Sequence, residues 1–373
     1  MKKIVSLILA ATMALSMVAC GNSSDSATES TSEGQTSQST DSSTGAEIAL
    51  VTDVGTIDDK SFNQGSWEGV VQFAEESGIS HKYYQPAEKS NEAIITAIEL
   101  AIKGGAKTVV CPGFLFEVPI YEMQKKYPDI KFILIDGEPQ DGNGTYEVAQ
   151  NTQSIYFAEE EAGFLAGYAA VIEGYRNLGF MGGLALPAVI RYGYGFVQGA
   201  EYAGKELGLK PGDITMNYTY VGNFEASPDH TAKAAAWYNE GVEVIFACGG
   251  GVGNSVMKAA ETAGTKVIGV DVDQSVESDT VITSAMKNLK NAVYTSLSSI
   301  YDDTFAGGRT INLGASTGDV LLPMETSKFT TFTQEKYDEI YTKISNKEIE
   351  LKDQTAGEKP TDLGSEIVVV NFN

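Results

Sequence analysis

Asp53-Val54-Gly55-Thr56-Ile57-Asp58-Asp59-Lys60-Ser61-Phe62-Asn63-Gln64 gathers three acids, an amide and an aromatic into one connection. The apolar run Ile48 to Val51 precedes it and an amphipathic stretch from Ser66 to Glu76 follows. The order reads strand, polar loop, helix. Open α/β sheets take ligands at the carboxyl ends of their strands. Carboxylates beside an exposed ring suit a neutral molecule with a flat face and several hydroxyls. A connection that only turned the chain would have no need of Phe62. Asp59 and Asn63 flank that ring and can pair with the polar edge of a flat base. Asp58 and Ser61 are better placed to cap the following helix.

Asp53, Asp136 and Asp271 each end a strand-like run and precede a loop. A carboxylate there can accept two hydroxyl protons at once, as the cis-diol of a ribose requires. Asp after a strand is also ordinary turn chemistry. Lys287, closing Ser284-Ala285-Met286-Lys287, can donate to a hydroxyl and offset nearby acids, unless it is a solvated surface lysine. The glycine-rich run Cys248 to Ser255 follows a strand and opens a helix, in the outline of a phosphate cradle. It carries neither the G-K-[ST] ending nor G-x-G-x-x-G. Its glycines let the backbone approach a ligand closely. Asp59, Asp136 and Asp271 face Lys287 as the one expected cation, which disfavours a phosphorylated ligand.

No G-x-S-x-G, H-E-x-x-H or Cys/His pair occurs, so no catalytic residue is assigned. The chain has two histidines, His81 and His230, and no C-x-x-C, which disfavours a Cys/His zinc site. No metal or cofactor is expected. The acids at 53–59 keep one enzyme reading open, a nucleoside hydrolase using an Asp cluster with calcium.

Strand-like runs near 47–53, 82–85, 108–112, 131–136, 178–182, 214–221, 243–248, 266–271 and 280–285 must position these residues. Helical patterns near 64–77, 90–104, 117–127, 157–174, 193–208, 229–240, 253–263, 287–306 and 333–346 lie between and after them. Such alternation predicts an α/β chain of parallel sheets with crossover helices. Two sheets are more ordinary than one very wide one. Val368-Val369-Val370 begins a final edge strand. Trp67 and Trp237 fall on helical patterns as packing residues. Cys111 and Cys248 end strand-like runs, as buried thiols would.

At 373 residues, 42% of them hydrophobic, the chain can fill two domains of usual size. A formal net charge of −24 excludes nucleic acid and anionic membrane surfaces as direct partners and suits a secreted monomer. Lys2 and Lys3 precede an apolar segment, Ile4 to Ala14, too short to span a bilayer. Ser16-Met17-Val18-Ala19-Cys20-Gly21 reads as a lipobox, with Met17 where Leu is usual. Residues 1–19 are therefore expected to be a signal peptide and Cys20 the site of acylation. In residues 21–45, fourteen are Ser or Thr and none is basic, aromatic or branched aliphatic. Residues 20–45 are expected to form a lipidated, disordered linker.

The loop at 53–64 resembles the signature of the basic membrane protein family, lipoproteins of the purine nucleoside receptor A type. These are solute receptors of ABC importers. The resemblance continues in order at Phe132–Gly137, Phe157–Ala170 (F-A-E-E-E-A-G-F-L-A-G-Y-A-A), Gly195–Gly199, Val267–Gln274 and Thr283–Lys287. It implies a type I periplasmic-binding-protein fold, two lobes with three crossings and a ligand cleft between them. The crossings are expected near 149–154, 272–279 and 308–320. Lobe 1 would be 46–151 plus 275–310, and lobe 2 152–274 plus 311–373. Phe62 and Phe196, one per lobe, would sandwich a base, although the Gly-rich start of a helix around Phe196 also suits a core position. Gly250 would contact the ribose. The expected partners are a purine nucleoside, the permease subunits of an ABC transporter and, through the lipid anchor, the extracytoplasmic face of the cell membrane. Binding with hinge closure, and no chemistry, is the expected mechanism. A receptor for a sugar or another small polar solute is the alternative.

Overall fold

The computed structural model describes residues 45–53 and 55–373; the signal peptide, Cys20 and residues 20–44 of the expected linker lie outside them. The strands are β1 (Ile48–Val51), β2 (His81–Tyr84), β3 (Thr108–Pro112), β4 (Lys131–Ile135), β5 (Thr152–Phe157), β6 (Asn177–Gly182) and β7 (Ile214–Tyr220). They continue with β8 (Val244–Cys248), β9 (Lys266–Asp271), β10 (Val281–Lys287), β11 (Arg309–Leu313), β12 (Val320–Leu321) and β13 (Val368–Phe372). The helices are α1 (Phe62–Ser77), α2 (Asn91–Lys103), α3 (Glu117–Lys126), α4 (Glu159–Glu173), α5 (Pro187–Glu206), α6 (Pro228–Asn239), α7 (Gly251–Ala263), α8 (Leu289–Tyr301) and α9 (Gln334–Ser345).

Two sheets form. The first runs β11-β5-β4-β3-β1-β2 and is parallel throughout. The second runs β12-β10-β9-β8-β6-β7-β13, parallel except where β12 meets β10. Central strands such as β1 (IALV), β3 (TVVCP) and β8 (VIFAC) are buried along their whole length, which explains their near-continuous apolar runs. This is the two-lobed type I periplasmic-binding-protein architecture. Among the described residues the two cysteines, Cys111 and Cys248, are free and buried.

The lobes exchange chain later than the sequence suggested. β5 belongs to the first sheet and β10 to the second. The crossings therefore fall at Ala158 between β5 and α4, at Asn288 between β10 and α8, and between β11 and β12. The expected crossings at 149–154 and 272–279 are displaced, while the one at 308–320 contains its counterpart. β5 (TQSIYF) begins with three buried polar residues and β11 (RTINL) is half polar, so neither showed the apolar signal of a buried strand.

One seam fixes the second lobe. A Cβ at Gly163 or Gly167 would come 2.1 Å from the carbonyl oxygens of Tyr192 and Phe196, and one at Gly199 2.0 Å from that of Phe164. Only glycine lets α4 and α5 approach backbone to backbone. α5 also begins at Pro187 rather than near residue 193, with proline in the first turn where its missing N–H costs nothing. Arg191 is therefore a helix residue, not a loop residue.

Candidate functional site

Asp53, Asp59, Phe62, Asn63, Asp136, Gly250, Asp271 and Lys287 line one cavity of about 210 Å³ between the two sheets' carboxyl ends. Phe196 does not. It is fully buried in lobe 2, its ring centroid 5.3 Å from that of Phe246, because the α4–α5 seam turns it into the core. The apolar wall is completed by Phe114, Tyr192 and Phe224, which sequence reasoning passed over.

The loop after β1 is organised around Asp59. Its carboxylate accepts from the backbone N–H groups of Ser61 (2.9 Å), Asn63 (3.0 Å) and Gln64 (3.1 Å), so Asp59 satisfies the head of α1. Capping was expected of Asp58 and Ser61; Asp58 is exposed and the Ser61 hydroxyl makes no cap bond. Burial raises the Asp59 pKa, against the pull of those donors. Asn63 Nδ2 donates to Asp53 Oδ1 and Asp59 Oδ2, both at 3.0 Å. Two carboxylates fix the amide's orientation, since a flip would turn its oxygen onto both. Asn63 Oδ1 is then a buried acceptor without a protein donor.

A charged cluster forms the other part of the cavity. Asp136 (φ 56°), just after β4, and Asp271 (φ 67°), the last residue of β9, adopt left-handed backbone, a conformation Asp tolerates better than most residues. The Lys287 ammonium, at the end of β10, contacts Asp136 Oδ2 and lies 3.2 Å from Glu159 Oε1 and 3.7 Å from Asp271 Oδ1. It also sits 4.5 Å from the centroid of the Phe62 ring, within cation–π reach. Burial alone would pull the lysine pKa down; Asp136, Glu159 and Asp271 outweigh it and hold the ammonium charged. Burial pushes the Asp136 carboxyl up to about 7, opposed by Lys287. Asp271 is likewise raised by burial, opposed by Lys287 and Ser61.

The two aspartates differ in what they leave available. Asp271 Oδ2 accepts from the Ser61 hydroxyl across the lobes, and Oδ1 has Lys287 and, at 3.4 Å, the Tyr192 hydroxyl. Asp136 Oδ1 is buried with no donor. Asp136 thus keeps one oxygen that no protein group satisfies, and Asp271 is largely engaged with protein. Gly250 stands at the head of α7 with φ 53° and ψ −119°, backbone that an added side chain would strain. Glu159 and Arg191 were not anticipated. Arg191 Nε donates to Glu159 Oε2 at 2.6 Å and both are buried, so Arg191 adds no free cation to the cavity. Lys89, also on the cavity wall, stands 3.8 Å from Glu225 of the other lobe, but both side chains are largely exposed and the pair is weak. The only signal for Glu159 was three consecutive acids heading an otherwise apolar helix.

Residues 46–355 match the family model Bmp, described as ABC transporter substrate-binding protein PnrA-like. The chain belongs to the Bmp family. Among curated relatives, an ABC transporter nucleoside-binding protein BmpA from Lactococcus lactis subsp. cremoris is 28% identical over 305 residues, covering 76% of this chain and 82% of the relative. Basic membrane protein A of Borreliella burgdorferi is 31% identical over 309 residues, 81% of this chain and 86% of the relative. A solved ABC transporter solute-binding protein from Aeropyrum pernix K1 superposes with a TM-score of 0.72 at 22% identity, over 86% of this chain and 99% of that one, and shows the same fold. As a Bmp-family substrate-binding protein the chain takes up a small ligand for transporter permeases and works on the extracytoplasmic side of the membrane. Among the described residues no helix is long and apolar enough to cross a membrane.

Proposed function

We propose that this Bmp-family protein is a lipid-anchored receptor for purine nucleosides, tethered through Cys20, that closes on its ligand and carries out no chemistry on it. The observation that carries the reading is the pair of buried, unpartnered acceptors on the cavity wall. Asn63 Oδ1 belongs to an amide whose Nδ2 is held by the loop carboxylates, and Asp136 Oδ1 to a carboxylate whose other oxygen holds the Lys287 ammonium. Both call for donors on the ligand, while Phe62, Phe114, Tyr192 and Phe224 offer apolar and aromatic surface between polar groups. A purine joined to a ribose brings N–H donors, a flat face and a diol in one neutral molecule. Leaving a buried acceptor unpaired costs about 1–3 kcal/mol, so a ligand lacking either donor is disfavoured by roughly that amount.

A melting-shift screen over nucleosides, free bases and sugars tests this. A purine nucleoside at a hundredfold excess over its Kd should add about 2.7 kcal/mol of stability. Stabilisation by free ribose and not by nucleosides would replace the reading with a sugar receptor. Turnover of inosine in the presence of calcium would replace it with a hydrolase. For the anchor, Cys20→Ser should release the protein from the membrane; a Cys20 without lipid in mass spectrometry would refute the tether.

A further inference from the structure

The acid triplet Glu159-Glu160-Glu161 heads α4, immediately after the chain crosses from β5 into the second lobe. Glu159 is fully buried and does not line the cavity. One of its oxygens is 3.2 Å from Lys287 Nζ, and the other accepts from Arg191 Nε at 2.6 Å. Lys287 is the last residue of β10, one position before the second crossing at Asn288. Glu161 reaches the third: its Oε2 accepts from the Ala315 backbone N–H at 2.6 Å, and its Oε1 pairs with Lys347 at 2.6 Å. The crossings are also bonded directly, Ala158 N–H to the Leu313 carbonyl and Asn288 N–H to the Asp319 carbonyl, each at 2.8 Å.

We infer that Glu159 is a positioning residue of the site. Braced by Arg191, it holds the Lys287 ammonium against Asp136 and ties that contact to the first turn of α4, where the three crossings converge. The inference rests on the reading of the cavity as a nucleoside site. Lys287 is held from one side by lobe-1 Asp136 and from the other by Glu159 and Asp271 of lobe 2. Were Glu159 neutral, the ammonium would keep only the two aspartates and would shift toward them. Asp136 would then present its free oxygen at a different angle to a ligand hydroxyl. Glu159 never touches the ligand, so its influence is confined to the hydroxyls that Asp136 and Lys287 meet.

The test compares the full-length protein with its Glu159→Gln variant by titration calorimetry, using a purine ribonucleoside and its 2′,3′-dideoxy analogue. Affinity for the ribonucleoside should fall about tenfold or more, the scale of losing an outer-layer partner in a preorganised site, and that for the dideoxy analogue far less. Glu159→Asp, which keeps the charge on a shorter stem, should recover part of the loss. Equal losses for both ligands, or none, would overturn the inference, because a residue that merely supports the fold weakens both alike. A second measurement needs no ligand. With selective 15N-lysine labelling, the buried Lys287 ammonium should give a slowly exchanging signal in the unliganded protein that shifts or broadens in Glu159→Gln. An unchanged signal refutes the positioning role even if no nucleoside binds; a changed signal with no nucleoside binding refutes the ligand reading alone.

Discussion

The two parts of the cavity are built on opposite plans. The part around Asp53, Asp59, Phe62 and Asn63 comes from a single loop and the first turn of α1, and the bonds its Asp53 and Asp59 carboxylates accept span ten residues or fewer. The charged part draws Asp136, Glu159, Arg191, Asp271 and Lys287 from both lobes, and its Lys287–Asp136 contact joins residues 151 positions apart. In the first, the carboxylates of Asp53 and Asp59 meet backbone and amide donors of the same segment, and the second lobe reaches the loop through Ser61 and Lys60 instead. In the second, each charge depends on charges delivered by distant strands. A local cap can be lost at modest cost, whereas a buried charge network is left uncompensated when one member goes.

Lys287→Met sets the contrast most sharply. It strands Asp136, Glu159 and Asp271 with one fewer cation, and the chain should lose about 3–5 kcal/mol of stability, read by thermal or denaturant unfolding. The Asp136 and Asp271 carboxyls, already raised by burial, would rise further. A folded-state acid with a raised pKa holds protons that the unfolded chain gives up, so the variant should weaken as pH rises from the ordinary carboxylate range toward neutrality. A variant that unfolds like the parent would show that water screens the cluster.

The two phenylalanines divide stability from binding. Phe196→Ala should cost about 3–5 kcal/mol in unfolding. Phe62→Ala should instead weaken nucleoside binding by roughly 1–3 kcal/mol, with a smaller change in Tm. Reversed results would put Phe196 on the ligand after all.

A 5′-monophosphate tests the charge balance of the whole cavity. Asp59, Asp136 and Asp271 meet Lys287 inside, with Lys89 only at an exposed position, so a nucleoside should bind about a hundredfold tighter than its monophosphate, roughly 2.7 kcal/mol. Calorimetry at neutral pH giving equal affinities would mean that the α7 head at Gly250 or Lys89 receives the phosphate. The smallest effect is expected from Asp59→Ala, which should remove about 0.5–2 kcal/mol of stability as a lost helix cap. An affinity loss at unchanged Tm would return Asp59 to direct ligand contact.

This contrast also explains what the sequence disclosed. The loop at 53–64 was legible because its chemistry is contiguous, though which acid caps the helix was not: that depends on backbone direction at Ser61, whose hydroxyl turns to Asp271 instead. Asp136, Asp271 and Lys287 were legible from their places at strand ends. Glu159 and Arg191 were hidden because an acid in a helix's first turn and an arginine on a helix are ordinary features on their own. The alternating elements gave the two-sheet plan, but β5 and β11 escaped notice, β5 because its polar residues are buried and β11 because it is a half-polar edge strand with exposed residues.

The glycine seam between α4 and α5 has a mechanical consequence. Where Gly163, Gly167 and Gly199 meet carbonyl oxygens directly, no side chain lies between the helices to change rotamer and absorb a shift. The two helices form one stiff beam, with Glu159 and Arg191 fixed near one end of it. A single methyl at Gly167 would act as a shim in that joint. It would pry the beam apart and tilt Glu159 away from Lys287, detuning the cavity from a position that no ligand ever reaches.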